Sequence, residues 1–238
     1  ESMKDLLFLI VLFVSNVIQA ITGFAGTVLA MPPSAYLLGL DHAKVVLNVM
    51  ALLSGLMIAV TGWRDIDRKE LAKMSAVMLL GMAAGVRICA LVPSESTLLT
   101  VYGVVVIAVA LKNLCIRTER QLPPFVLGLV LLAAGVIHGM FVSGGALLVI
   151  YAAQVLRDKR TFRATVAPVW VVLNSCLLIT QLRAGLVGAA DVRLILLSIV
   201  PLFAAVWLGK QLAARVSQKA FLNLTYALLL ISGLSLIL

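Results

Sequence analysis

The stretch HGMFVSGGALLVIY, residues 138–151, places a histidine, a serine and three glycines in a run whose flanks are almost wholly apolar. A similar stretch, QAITGFAGTVLAMPP, occupies residues 19–33. The two stretches lie inside the long apolar segments 123–156 and 5–40. A straight helix of about 35 residues would be ~50 Å long, well beyond the ~30 Å hydrocarbon core of a bilayer. We therefore predict that each segment folds as two short helices meeting at a glycine-bearing turn.

The composition is that of an integral membrane protein. Of the 238 residues, 63% are hydrophobic and 12% are charged, and the mean hydropathy is +1.14. Soluble domains have roughly 45 to 50% apolar and about 25% charged residues. Six further apolar segments have the length of a membrane helix: residues 43–62, 71–91, 97–116, 164–182, 192–213 and 219–238. The expected fold class is an all-α integral membrane protein.

The basic residues indicate orientation rather than nucleic-acid binding. The formal net charge is +9, but Lys and Arg occur in short clusters between apolar segments. This distribution follows the positive-inside rule. The rule assigns four loops to the cytoplasm: residues 64–73, 112–120, 157–163 and 210–219. The loops at 41–44 and 183–191 are then expected outside.

The order of features repeats in the two halves of the chain. Gln19 corresponds to His138 at a spacing of 119 residues. Tyr102 corresponds to Tyr226 at a spacing of 124 residues. The first-half loop at 41–44 is expected outside, whereas its second-half counterpart is expected inside. That change of side predicts an inverted repeat.

The repeat divides the chain into an N-terminal transmembrane repeat (3–116), a cytoplasmic linker (117–122) and a C-terminal transmembrane repeat (123–238). Each repeat is expected to contain four to five helices. An inverted pair needs an odd number of crossings per repeat, and the broken segments supply it if each forms a short helical hairpin. The alternative is a total nearer eight crossings, with the sidedness undetermined.

The two breaks are the candidate substrate site. Half-helix N-termini in inverted-repeat transporters present unpaired backbone N–H groups and the positive end of the helix dipole, which suit an anion. The candidate binding groups are Gly23, Gly26, Gly139, Gly144 and Gly145, with the side chains of Gln19, Thr22, Thr27, His138 and Ser143. The alternative is that these glycines permit close helix packing, as small residues do in many membrane interfaces.

Trp170 and Asn174 are two further candidate substrate contacts, although polar groups inside spans more often hydrogen-bond between helices. His138 is either a proton carrier, since a free imidazole titrates at about pH 6.5, or a neutral donor. Its counterpart Gln19 does not titrate, which favours the second role. No Asp or Glu lies near the middle of an apolar segment, so a coupling site built on buried carboxylates finds no support.

Three cations are candidates for attracting or gating the anion. Lys44 follows the first break, and Arg163 opens the helix that follows the second. Arg87 is the most intrusive charge, but its long side chain can snorkel to the interface. The alternative for Lys44 and Arg163 is that they serve only as orientation signals.

Enzyme activity is not expected. The sequence contains no HExxH, GxSxG, Walker loop or CxxC motif, and no carboxylate pair within the apolar segments. The three cysteines lack the spacing of metal ligands and are expected to act as small hydrophobic residues. We therefore expect no cofactor and no bound metal.

The motifs QAITGFAGTVLAMPP, GMFVSGGALLVIY and DKRTFRATVAP, with two late blocks that end in Tyr102 and Tyr226, resemble the sulfite exporter TauE/SafE family, also called the toluene sulfonate uptake permease family. The resemblance extends over residues 6–238. It implies movement of small anions, typically sulfite or sulfonates, across the bacterial inner membrane. The chain departs from the family at Ala25, Val142 and Ser143, where glycine is common, and these changes reshape the pocket.

The residues and the resemblance together predict a multi-pass secondary transporter of the bacterial inner membrane. It would move sulfite, an organosulfonate or a related organic anion by alternating access around a midplane site between the repeats. Its expected partners are the small anion, with or without a coupling ion, and the lipid bilayer; the protein is expected to be a monomer or homodimer that binds no nucleic acid. The alternatives are a non-transporting membrane subunit or sensor, and an anion channel.

Overall fold

The described part of the chain is helical in the computed structural model. It comprises residues 2–92, 94–115, 121–156 and 158–213, together with Arg215, Ser217, Asn223, Tyr226, Ala227, Leu230 and Leu234. Those described residues up to 213 form nine α-helices and one 3-10 turn, without a β-strand. The expected all-α class is confirmed.

Two of the helices, those at Gly26–Leu38 and Gly145–Val155, are much shorter than the others. The helices are α1 (Ser2–Thr22), α2 (Gly26–Leu38), α3 (Leu40–Gly62), α4 (Arg68–Leu91), α5 (Glu95–Cys115), α6 (Pro124–Phe141), α7 (Gly145–Val155), α8 (Lys159–Arg183) and α9 (Ala189–Ala213), with the 3-10 turn at Trp63–Asp65. Six stretches in this part of the chain are long and apolar enough to cross a membrane: Met3–Thr22, Leu40–Asp65, Arg68–Leu91, Pro124–Phe141, Arg160–Arg183 and Ala189–Ala213.

Both long apolar segments are broken as predicted. α1 ends at Thr22 and α2 begins at Gly26, whereas α6 ends at Phe141 and α7 begins at Gly145. Each break therefore separates a long helix from a shorter one and lies inside the predicted glycine-bearing stretch.

A close helix crossing joins α4 to α6. Gly81 and Gly85 on α4 face Gly135 and Gly139 on α6, and a Cβ at any of the four would collide with a backbone carbonyl oxygen of the partner helix. Each pair is a GxxxG motif, whose spacing puts two small residues on one helix face. Since Gly81 lies against the carbonyl of residue 132 and Gly85 against that of residue 136, the two helices run parallel.

α1 and α9 pack in the same parallel sense. The Asp5 carboxylate lies 2.6 Å from the Arg193 guanidinium near the start of both helices. Near their ends, Gly209 lies against the carbonyl of Val17, so close that a Cβ there would be 2.5 Å from the oxygen. These two helix pairs, with α3 against α8, make the most extensive contacts, and each joins one predicted half to the other.

The first helices of the two halves run in opposite directions. α3 separates two ends of the molecule: His42, in its first turn, lies 2.8 Å from Asp191 near the start of α9. Asp65, just beyond the other end of α3, lies 3.6 Å from Arg160 and three residues before the start of α4. α9 and α4 thus start at opposite ends, and so do α1 and α6, which run parallel to them. This agrees with the expected inverted arrangement.

α5 covers the first hairpin. Pro32 has no N–H to offer the carbonyl of Val28 four residues earlier. The hydroxyl of Tyr102, on α5, donates to that carbonyl at 3.4 Å. The Tyr102 ring also stacks on Phe141 at the end of α6, with 4.5 Å between ring centroids. One buried tyrosine therefore supports both hairpins.

The predicted boundaries at 3–116, 117–122 and 123–238 remain a prediction. Residues 116–120, most of the predicted linker, and most of the final apolar segment 219–238 lie outside the described residues.

The α4–α6 crossing gives a direct test of packing. Gly135→Ala places a methyl group against backbone atoms that have little freedom to move, and we expect a loss of about 1–3 kcal/mol of stability. Gly128→Ala is the matched control, because it lies in the same helix with open space around it. The control should keep or raise the melting temperature of the protein in detergent, whereas Gly135→Ala should lower it. Equal melting temperatures for the two variants would contradict the crossing.

Candidate functional site

The first break is closed by its own side chains. α1 ends in a turn at Gly23, whose φ of +86° is left-handed and suits glycine. The Gln19 Oε1 accepts from the N–H of Gly26 at 2.7 Å, and its Nε2 donates to the Gly23 carbonyl at 3.4 Å. The Thr22 hydroxyl accepts from two backbone N–H groups of the turn at 3.4 and 3.3 Å. Three of the N–H groups at this break are therefore already hydrogen-bonded.

The second break turns on a strained residue. Val142 has a φ of 55°, and within the described residues it alone among the non-glycines has a positive φ. A β-branched residue in this region is strained by about 1–3 kcal/mol. The Ser143 hydroxyl lies 3.0 Å from the carbonyl of Phe141 and 3.2 Å from that of Thr27. Ser143 thereby ties the second break to the first.

The glycines of the second break are packed against backbone. A Cβ at Gly144 would collide with the carbonyl oxygen of Ala134, and one at Gly145 would collide with that of Phe24. Gly139 belongs to the α4–α6 crossing. Close packing, one of the two alternatives that the sequence left open, is therefore present at all three glycines in this conformation.

Trp170, His138 and Asn174 form a buried cluster beside the breaks. The Trp170 Nε1–H donates to the carbonyl of Gly23 at 2.9 Å. The His138 ring stacks on Trp170 with 5.4 Å between centroids, and its Nε2 lies 2.9 Å from the Asn174 Oδ1. An amide oxygen only accepts, so this bond places the proton on Nε2 and leaves the Nδ1 of the neutral ring as an acceptor.

The cluster extends to α3 and holds unpaired polar atoms. The Asn48 Nδ2 donates to the Asn174 carbonyl at 3.2 Å and to the Gln181 Oε1 at 3.0 Å. Three of the buried atoms without a hydrogen-bond partner among the described residues belong to this cluster: Asn48 Oδ1, His138 Nδ1 and Asn174 Nδ2. Folded proteins pair nearly all buried polar atoms, so such a concentration points to a site for water or a ligand.

The polar residues of α8 share one helix face. Arg163, Trp170, Asn174 and Gln181 follow one another at intervals of seven, four and seven residues. At 3.6 residues per turn these intervals return to the same side of the helix. We call these four residues the α8 polar face. From the sequence, Arg163, Trp170 and Asn174 are predicted as separate site residues. Their helical spacing is the signal in the sequence that would have added Gln181.

A small cavity lies beside the first break. Its volume is about 10 Å³, room for about one water molecule. Its wall includes Gly26 and polar side chains of α1, α2 and α3, among them Asn16, Gln19, Thr27 and Ser54. The centre is therefore polar, but in this conformation the space is too small for a polyatomic anion.

A larger cavity opens at the end of the molecule where α3 ends and α8 begins. Its volume is about 230 Å³, and its charged lining residues are Asp65, Arg160, Arg163 and Lys210. We call it the basic vestibule. Its three cations come from two loops, 157–163 and 210–219, that the sequence assigned to the same side of the membrane.

The other two candidate cations lie elsewhere. The Lys44 Nζ is 3.4 Å from an Asp41 oxygen and 3.3 Å from the Cys89 Sγ, near the start of α3. Arg87 is exposed on α4, which fits the snorkelling alternative. Among the three predicted cations, only Arg163 lines the vestibule. Nor does the described part of the chain group three or more His, Cys, Asp or Glu residues where they could hold a metal ion.

The broken hairpins, the inverted helix directions and the buried polar cluster define a polytopic helical membrane protein. The sequence model of the sulfite exporter TauE/SafE family matches residues 7–236. The chain therefore belongs to that family, and the resemblance of its motifs is confirmed. Membership makes it a multi-pass membrane transporter. No curated protein and no solved structure matches the chain.

The bridge across the first break is testable. Gln19→Leu leaves the buried N–H of Gly26 without its acceptor, and we expect a loss of about 1–3 kcal/mol of stability. Gln211→Leu makes the same replacement at an exposed position on α9 and should have little effect. The readout is the melting temperature in detergent. A similar shift in both variants would disprove the bridging role.

Proposed function

We propose that this transporter moves a small oxyanion, sulfite or an organosulfonate, across the bacterial inner membrane by alternating access. The proposed binding site lies between the two breaks and the α8 polar face. The observation that carries the proposal is the buried polar cluster with unpaired atoms, in a chain of the sulfite exporter family.

The site would bind the anion through neutral donors. Asn174 Nδ2 is an unpaired donor. The Trp170 Nε1–H and the Gln19 Nε2 are donors now directed at the carbonyl of Gly23. A sulfite or sulfonate group has three oxygens that accept hydrogen bonds. Neutral donors suit transport, because a fixed buried cation would bind the anion tightly and retain its own desolvation penalty after release. His138 acts as a ligand or positioning group.

The remaining predicted ligands require the breaks to separate. In the described conformation, the hydroxyls of Thr22 and Ser143 bond to backbone groups of the breaks, and Gly26 and Thr27 face a cavity of only about 10 Å³. Separation would make them available to the anion: the hydroxyls of Thr22, Thr27 and Ser143 and the backbone of Gly23, Gly26, Gly144 and Gly145. The glycines of the breaks would then pack against backbone in one conformation and contact the anion in another. Both roles require that the residue has no Cβ.

The two ends of the molecule support alternating access. At the end expected outside, the contacts of His42 with Asp191 and of Asp5 with Arg193 join α3 and α1 to α9. At the opposite end, expected to be cytoplasmic, the basic vestibule opens. We infer that these outer contacts separate during transport and that the outer end of the molecule then opens.

Transport across the cluster tests the proposal. Asn174→Leu keeps the side-chain size but removes the unpaired donor, and it should slow sulfite flux in proteoliposomes roughly 10- to 150-fold, the equivalent of losing one hydrogen bond to a charged group. Ser75→Ala removes another buried, unpaired polar atom, on α4, a helix that contributes no residue to the cluster, and should leave the flux unchanged. Wild-type flux in a folded Asn174→Leu protein would refute the site.

The direction of transport has an electrical signature. An inside-negative potential favours anion export by about 2.3 kcal/mol per charge per 100 mV, roughly a 50-fold concentration ratio for a monoanion. The buried cluster described above contains no carboxylate for a coupling cation. We therefore expect sulfite efflux from proteoliposomes to accelerate when an inside-negative potential is imposed with valinomycin. Efflux that ignores the potential would point to electroneutral cation coupling instead.

A further inference from the structure

The basic vestibule is separate from the buried cluster and has its own geometry. Its walls come from α3, α8, α9 and the 3-10 turn. Its volume of about 230 Å³ is far above the ~30 Å³ that one water occupies in the liquid, so a small oxyanion fits with some of its hydration.

The charges that line the vestibule are not balanced. Asp65 lies 3.6 Å from Arg160 and offsets that cation. Within the described residues, neither Arg163 nor Lys210 forms an ion pair, and the Arg163 Nε is buried without a hydrogen-bond partner. Cations removed from bulk water are normally paired. Two surplus positive charges therefore face one cavity.

Arg163 links the vestibule to the first break. Its Cα and Cγ lie 3.6 Å from the position that a Cβ would take at Gly23. The Gly23 carbonyl in turn accepts the indole N–H of Trp170. Arg163 is also the first residue of the α8 polar face, so an anion held there lies on the helix face that carries Asn174.

We propose that the basic vestibule is a second binding site, for one small oxyanion held between the Arg163 guanidinium and the Lys210 ammonium. The planar guanidinium donates in a fork that matches two oxygens of a sulfite, sulfate or sulfonate group, and the ammonium supplies a point charge. The role of this site in loading the transporter rests on the proposed function, whereas binding itself does not require transport.

Asp65 is the internal competitor of the bound anion. Its carboxylate holds Arg160 and repels an oxyanion that enters the same cavity. Neutralising Asp65 should therefore tighten binding, while neutralising Arg163 or Lys210 should weaken it. If neutralising neighbouring residues changes the affinity in opposite directions, the effect comes from a binding site rather than from a general influence of charge on folding.

Positive charge at this end of the molecule also suits an orientation signal or a lipid contact. An orientation signal needs cations near the membrane surface, but it does not need them to face a shared cavity with a buried guanidinium nitrogen. A phospholipid headgroup offers the same oxyanion chemistry as a free anion. The experiment therefore includes membranes with and without anionic lipid.

Sulfite binding is measured by titration calorimetry on the full chain in zwitterionic nanodiscs. The Asn174→Leu background weakens the proposed transport site and isolates the vestibule. We expect Arg163→Met to weaken binding about 10-fold or more and Lys210→Met several-fold, as for loss of charged hydrogen bonds. Asp65→Asn should tighten binding several-fold. Lys69→Met removes one positive charge from an exposed site at the same end and should change affinity less than about 2-fold.

Unchanged affinity in the Arg163 and Lys210 variants would overturn the vestibule site. Sulfite flux that still depends on Asn174 would then leave the proposed function standing. If Arg163→Met fails to fold, the opposite shifts required of Lys210→Met and Asp65→Asn decide the question. Sulfite binding that persists in nanodiscs containing anionic lipid supports a free oxyanion, whereas its loss there assigns the site to a lipid phosphate and overturns the proposal.

Discussion

Every backbone N–H and C=O that a helix break releases inside a membrane needs a partner within the protein, because hydrocarbon offers none. The first break meets this requirement with side chains from both halves. Gln19 and Thr22 satisfy the first break locally, and Trp170 on α8 reaches across to its carbonyl. Ser143 ties the second break to the first. The remaining helices pack around this junction, with α4 against α6 and α1 against α9.

The same requirement explains why the first break is closed. A break whose donors are bonded internally is stable but has little to offer a ligand. Unpaired buried side-chain atoms lie instead where α3, α6 and α8 meet, at Asn48, His138 and Asn174. Transport of an anion would exchange internal hydrogen bonds for bonds to substrate, with similar numbers of each. Such an exchange keeps the free-energy difference between conformations small, which alternating access requires.

The fold was more predictable than the site. Hydropathy and segment length located the breaks at Gly23 and Gly144 because both properties are local. The site residues were chosen by chemical type, and three of them, Trp170, His138 and Asn174, do form one cluster. Lys44 was chosen on the same grounds but lies near the start of α3, against Asp41 of the same helix and Cys89 of α4, because how α3 packs against α4 places it away from the cluster.

The sequence by itself determined the membrane class and the two broken segments, and it predicted the inverted directions of the two halves. These features follow from composition, the lengths of the apolar segments and the positions of the charges. The same properties govern how a chain inserts into a bilayer. Only the tertiary structure decided that Asp65, Arg163 and Lys210 share a cavity and that Asn48 meets Gln181. Those contacts depend on the register between packed helices. Backbone contacts at small residues set this register, and hydropathy does not encode it.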